Sequence, residues 1–213
     1  RRAGLRVPPK ITPQFLMEVA KRPAWALATL KHGKPAFRML QKYASSEDMR
    51  ELTKFIASQR IGGAYMWKDL IRFREIWKGP IVIKGLLDVA DAKQAIEHGM
   101  DAIVVSNHGG RQFDGAPASI SVLPEIADAV NGKVKILFDS GVRTGLDVLR
   151  ALALGADYVF AGRPFLYGAA AMGQVGGDHV VDILKADLEN NMIQLGVNDI
   201  ADLRNLKILD FDQ

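Results

Sequence analysis

From residue 79 onward the chain repeats one pattern four times: a short apolar run, a polar segment containing glycine, and a helical stretch. The apolar runs are Ile81-Val82-Ile83-Lys84, Ala102–Ser106, Val134–Phe138 and Tyr158–Ala161, all rich in residues that favour strands. Helical periodicity follows each run: over Val89–Glu97 before Gly99, over Ser121–Val130, over Gly145–Leu154 before Gly155, and then over 165–172 and 178–195. Strand starts at 81, 102, 134 and 158 lie 21, 32 and 24 residues apart, room for one crossover helix each time. Continuous apolar strands alternating with helices predict a parallel sheet covered by helices, an α/β fold.

Two architectures accommodate four successive βα units, an open doubly wound sheet and part of a (β/α)8 barrel. The polar residues decide between them. Lys84, the Ser106-Asn107-His108 run, Asp139 and the Gly162-Arg163 pair all fall at the carboxyl end of their strands. A barrel uses that end of every strand for chemistry, whereas an open sheet concentrates it at one switch point. A complete barrel typically runs to about 250 residues, and the repeat here occupies only residues 79–213. The expectation is therefore the second half of a (β/α)8 barrel.

Residues 1–78 form the other expected region, a long helical connection without a strand. Pro8, Pro9 and Pro13 forbid a regular helix across 8–14, while Thr12 before Pro13 marks the start of a short helix over Gln14–Ala20. Pro23, Gly33 and Pro35 confine Trp25–Leu30 to a helical turn, and Ser46-Glu47-Asp48 offers a cap for a helix over Met49–Ser58. Apolar positions at 67, 70, 71, 73, 76 and 77 predict an amphipathic helix closed by Gly79-Pro80.

Composition removes several classes of function. With no cysteine among 213 residues, disulfides, thiolate zinc sites and cysteine nucleophiles are excluded. No apolar run approaches the roughly 18 residues that a membrane helix needs. The 28 Lys+Arg against 24 Asp+Glu form no sustained basic tract, so nucleic acid is not an expected partner. His32, His98 and His179 lie at no metal-ligand spacing, and no metal site is expected. Trp25, Trp67 and Trp77 are expected to pack. The chain opens on Arg1 and not on Met, which suggests a piece of a longer protein.

The heptad Ser106-Asn107-His108-Gly109-Gly110-Arg111-Gln112 carries the strongest chemical signal. Imidazole is a general base suited to neutral pH, and guanidinium clamps a carboxylate through two parallel hydrogen bonds. His108 and Arg111 three residues apart can address one small acid. A second constellation is Asp139-Ser140-Gly141-Val142-Arg143-Thr144-Gly145, echoed by Ala161-Gly162-Arg163 on the next strand. Its glycines bracket a helix start, where free N–H groups and the helix dipole favour an anion, and Arg143 and Arg163 add charge. Lys84 alone reads as a lysine reaching solvent; beside these groups it can stabilise negative charge on a bound cofactor.

The heptad, with Val82-Ile83-Lys84-Gly85, Asp139–Arg143 and Ala161-Gly162-Arg163-Pro164, resembles the FMN-dependent α-hydroxy-acid dehydrogenase and oxidase family in order and spacing. The stretch Val7–Thr12 with Arg22–Trp25 is similar to that family's long connection after its fourth strand, most of all in the bacterial membrane-associated L-lactate dehydrogenase branch. The resemblance implies FMN as cofactor and oxidation of an L-2-hydroxy acid, most simply L-lactate, to the 2-oxo acid. His108 would be the base and Arg111 the carboxylate anchor. Lys84 would lie by the N1/C2 edge of the isoalloxazine and Ser106 on the flavin side of the pocket. Asp139 would hold the ribityl chain, with Gly141, Arg143, Gly162 and Arg163 around the phosphate.

The family's first four strands, with a tyrosine, a second active-site arginine and the aspartate that orients the base, have no counterpart in this sequence. One alternative is thus a half-barrel without activity of its own; another is a different phosphate-binding barrel enzyme, which would leave the heptad unexplained. The expected electron acceptor is oxygen or a membrane quinone or cytochrome, and a full-length chain is expected to form a homo-oligomer. The expected location is the cytoplasm, at the inner membrane face if Trp25 with Lys21, Arg22, Lys31 and Lys34 docks on anionic lipid.

Overall fold

The computed structural model describes residues 11–33, 38–44, 48–61 and 66–206. By contacts the chain divides into two compact units, Arg1–Tyr65 and Met66–Gln213.

The described part of the first unit is helical: α1 (Pro13–Ala20), α2 (Pro23–His32), α3 (Arg38–Ala44) and α4 (Met49–Ile61). Thr12 caps α1, its hydroxyl accepting the Phe15 N–H at 3.1 Å, and Pro13 occupies the first turn as expected. The turn expected at Trp25–Leu30 is a full helix, because Pro23 starts it without needing an N–H and Gly33, at φ +79°, ends it. α3 falls where only a connection was expected. At α4 the Asp48 carboxylate accepts the Arg50 N–H at 2.9 Å. The rest of that cap, Ser46 and Glu47, lies outside the described residues, as do Pro8, Pro9 and Pro35.

The second unit holds the sheet. Its strands β1 (Val82–Leu86), β2 (Ala102–Val105), β3 (Lys135–Phe138) and β4 (Tyr158–Val159) are all parallel, in the order β1-β2-β3-β4. Sequential order with one helix per crossover is the barrel arrangement that the strand-end residues predict. The crossovers are α6 (Val89–Glu97), α7 (Ser119–Val130) and α8 (Gly145–Ala153), with α9 (Arg163–Met172) and α10 (Gly176–Leu195) after β4. Ile103, Val105, Ile136 and Phe138 pack with Ala92, Ala95, Leu123, Ile126 and Val130 of the helices in one buried cluster. Burying each large side chain there is worth about 1.5–3 kcal/mol.

Strand β1 is irregular just beyond Lys84. It pairs Lys84 with Val104, then slips so that Leu86 pairs with Val105, and Gly85 takes up the extra residue at φ +104°. Helix α5 (Trp67–Ile76), expected within the connection, belongs by contacts with the sheet. Trp67 packs against the core cluster and stacks on His98, while Arg74 donates to the Gly99 carbonyl at 2.7 Å and to Asp101 at 2.6 Å. Trp77 donates its indole N–H to the Pro80 carbonyl at 3.0 Å but is 58% exposed, and Trp25 is half exposed, so neither packs as expected.

Candidate active site

Ladder hydrogen bonds continue past β2, β3 and β4 and hold the residue that follows each strand. The Ser106 N–H donates to Leu86 O at 3.4 Å, Asp139 to Val105 O at 3.1 Å and Phe160 to Phe138 O at 2.8 Å. These anchors bring the loops after β2, β3 and β4 to one end of the sheet, around a cavity of about 720 Å³. Lys84, His108, Arg111, Asp139, Gly141, Arg143, Gly162 and Arg163 all line it. Ser106 is buried and joins them through Lys84. Four segments separated by up to 79 residues of chain thus converge, including the heptad's imidazole and guanidinium.

The hydrogen bonds form a continuous net. Lys84 Nζ donates to Ser106 Oγ at 2.6 Å and to Asp139 Oδ2. Ser106 Oγ also accepts the His108 N–H at 3.1 Å, holding that residue in a left-handed conformation at φ +58°. Arg163 Nη2 donates to the Gly109 carbonyl at 2.7 Å. Partial burial raises the Asp139 carboxyl, but hydrogen bonds from Lys84, Ser106 and Ser140, with the ammonium charge, outweigh it and hold Asp139 below the usual carboxylate range. It is therefore an anion at neutral pH, and Lys84 has a fixed counter-charge.

The guanidinium groups of Arg111 and Arg143 make no hydrogen bond or ion pair with any described residue. Against one carboxylate the cavity carries three guanidiniums and one ammonium, so it suits an anionic ligand. Phe160, Leu166 and Tyr167 supply an apolar flank, as an aromatic ring system needs. Nothing lies within 4 Å of where a Cβ would stand on Gly141 or Gly162. Protein packing therefore does not demand glycine at 162; its absent side chain leaves the backbone open to a ligand. The donor set and open backbone fit a flavin mononucleotide.

One expectation is corrected. At the start of α8 most N–H groups are already taken by the protein itself. Asp147 accepts the N–H groups of Arg143 and Thr144 at 3.0 Å each, Thr144 Oγ1 accepts that of Asp147 at 3.1 Å, and Asp187 accepts that of Leu146 at 3.2 Å. Gly145 is a packing residue: a Cβ there would stand 2.1 Å from Leu188 N on α10. Carboxylates of the protein already occupy this helix terminus.

Sequence reasoning passed over Ser140, Phe160, Leu166 and Tyr167. A serine beside glycine resembles any turn residue, and the three apolar side chains follow the periodicity of core positions.

A family model described as FMN-dependent dehydrogenase matches residues 1–209. The chain is 42% identical over 196 residues to an L-lactate dehydrogenase of Vibrio cholerae, covering 92% of this chain and 52% of the relative. To an L-lactate dehydrogenase of Stenotrophomonas maltophilia it is 55% identical over 137 residues, covering 64% of this chain and 36% of the relative. Among solved structures it is similar to the monotopic membrane protein (S)-mandelate dehydrogenase, with TM-score 0.84 and 35% identity over 93% of this chain and 52% of that one. A mandelate oxidase matches at TM-score 0.65 and 41% identity, over 67% of this chain and 40% of that one. The chain spans about half the length of the Vibrio cholerae relative it matches.

Proposed function

This chain belongs to the FMN-dependent dehydrogenase family, and from that membership we propose that it supplies one half of a site that oxidises an L-2-hydroxy acid, in the first instance L-lactate, to the 2-oxo acid. The observation that carries this is the convergence of His108 and Arg111 on one cavity with Lys84, Arg143 and Arg163. The relatives named L-lactate dehydrogenase support lactate over a larger acid.

The residues divide the work by charge. Arg111, without a partner among the described residues, clamps the substrate carboxylate and fixes which bond faces the cofactor. The His108 imidazole takes the hydroxyl proton as the carbonyl forms. Arg143, Arg163 and the open backbone at Gly141 and Gly162 hold the cofactor phosphate, Asp139 the ribityl chain, and Lys84 with Ser106 the pyrimidine edge of the ring. Bound FMN supplies a two-electron acceptor. Lys84, hydrogen-bonded to Ser106 and Asp139, places a positive charge where negative charge develops.

A membrane setting is part of this reading. Leu16, Met17, Trp25, Leu27 and Leu30 are at least half exposed on α1 and α2, beside Lys21, Arg22 and Lys31. Such a surface suits docking on anionic lipid at the cytoplasmic face, and the monotopic relative supports it. Lys34 lies outside the described residues. Lipid docking favours a membrane quinone or cytochrome over oxygen as final acceptor.

A second reading, a half-barrel without turnover of its own, is favoured by the sheet: β1 and β4 each pair on one side only among the described residues, and Tyr158 and Phe160 are exposed. One experiment separates the two. FMN is titrated into the purified chain, and anaerobic L-lactate is then added while the flavin absorbance is followed. Saturable binding and bleaching support the oxidising reading; binding without bleaching, or no binding at all, overturns it and supports the half-barrel without turnover.

A further inference from the structure

Ser140 is not glycine, yet its φ is +83°, a conformation that L side chains rarely adopt. Gly141 beside it has φ +84°. A second glycine would make that turn without strain, so the hydroxyl at 140 calls for a reason. It has two partners: Ser140 Oγ donates to Asp139 Oδ1 at 2.8 Å and accepts the Gly109 N–H at 3.1 Å.

The Gly109 N–H belongs to the peptide that joins His108 to Gly109. Asn107 Oδ1 accepts the same N–H at 3.0 Å, but Asn107 lies on the same loop and cannot tie it to another strand. The preceding peptide is held at the His108 N–H by Ser106 Oγ. Two serine hydroxyls, one from the tip of β2 and one from the loop after β3, therefore hold the peptides on either side of the His108 side chain. The Cα–Cβ direction of His108, as of any residue, follows from the two peptides that flank it, and here φ is held positive.

We infer that Ser140 is a positioning residue for His108: its hydroxyl links the His108–Gly109 peptide to the Asp139 carboxylate and so sets where the imidazole enters the cavity. The inference rests on the hydroxy-acid reading for the purpose of that imidazole, though the link itself belongs to this chain alone. Asp139 then has a double task, with Oδ2 facing Lys84 and Oδ1 holding Ser140.

The test compares Ser140→Ala with Ser140→Gly. Both remove the hydroxyl, but glycine also relieves the backbone, so Ser140→Gly is expected to melt no lower than the parent. Ring signals of His108 and the amide of Gly109 are followed by NMR in the 213-residue chain at one pH, with His98 and His179 as internal controls. The expected result in both variants is an upfield shift of the Gly109 amide proton and displaced His108 ring signals, with the controls unmoved. Unchanged His108 and Gly109 signals in Ser140→Gly overturn the inference, whatever Ser140→Ala does. Failure of the parent chain to bind FMN would overturn the functional reading without touching the positioning role of Ser140, which the NMR shifts decide.

Discussion

Lys84 and Asp139 come from strands that do not touch, β1 and β3, yet they form an ion pair across the tip of β2, with Ser106 of β2 hydrogen-bonded to the same ammonium. The pair ties three strand ends together and places one fixed charge of each sign in the cavity.

Asp139→Asn removes the anion and leaves Lys84 without a counter-charge. Asp139 is 22% exposed and Lys84 49%, so solvent screens the pair and the expected loss is on the order of 1 kcal/mol at pH 7. The folded carboxyl lies below its ordinary value of 3.8, so this stabilisation is fully present above that value and is lost as pH falls through the folded one. Urea melts of parent and variant should differ near neutrality and converge in acid. A gap that persists at low pH would assign the loss to packing.

Removal of the base by His108→Ala should slow reduction of bound flavin by L-lactate about 10²–10⁴-fold. FMN affinity should stay close to that of the parent. Stopped-flow absorbance measures both in protein that holds FMN and turns over, and near-normal reduction would remove His108 from the role.

The substitution Arg111→Lys keeps the charge but loses the fork that grips both carboxylate oxygens. Half-saturation for L-lactate in flavin reduction should rise about 10-fold, corresponding to roughly 1.4 kcal/mol of lost binding. An unchanged half-saturation would count against carboxylate anchoring.

Two glycines at the same end of the sheet should respond oppositely to alanine. Gly145→Ala forces a Cβ to 2.1 Å from Leu188 N and 2.6 Å from Leu184 O, so thermal melting should show a loss of about 1–3 kcal/mol. Gly162→Ala meets nothing within 4 Å. Its melting should be unchanged while FMN affinity falls, as read by quenching of flavin fluorescence. A stable Gly162→Ala variant with parental FMN affinity would move the cofactor phosphate away from that backbone.

Much of the second unit was legible beforehand. The helix at Val89–Glu97 stands at its expected bounds, because Asp88 caps it and Gly99 takes the left-handed turn after it. β4 is shorter than its apolar run, two residues in place of four, and among the described residues only β3 pairs with it. In the first unit α3 was missed: proline and glycine on its amino-terminal side read as one long break. At the site, the nine residues singled out by type and position lie together, whereas Ser140 was passed over because its importance lies in a torsion angle and two partners.

Taken alone, the order of residues determined the periodicities, the parallel sheet, and which side chains end each strand, because these depend on neighbours a few positions away. The folded arrangement decided which charges remain free. Asp147 and Asp187 fill the start of α8, Asp139 engages Lys84, and Arg111 and Arg143 have no partner among the described residues. Such pairings join residues up to 55 positions apart. Local pattern cannot assign them, since a carboxylate's partner is whichever donor packing brings within hydrogen-bond reach.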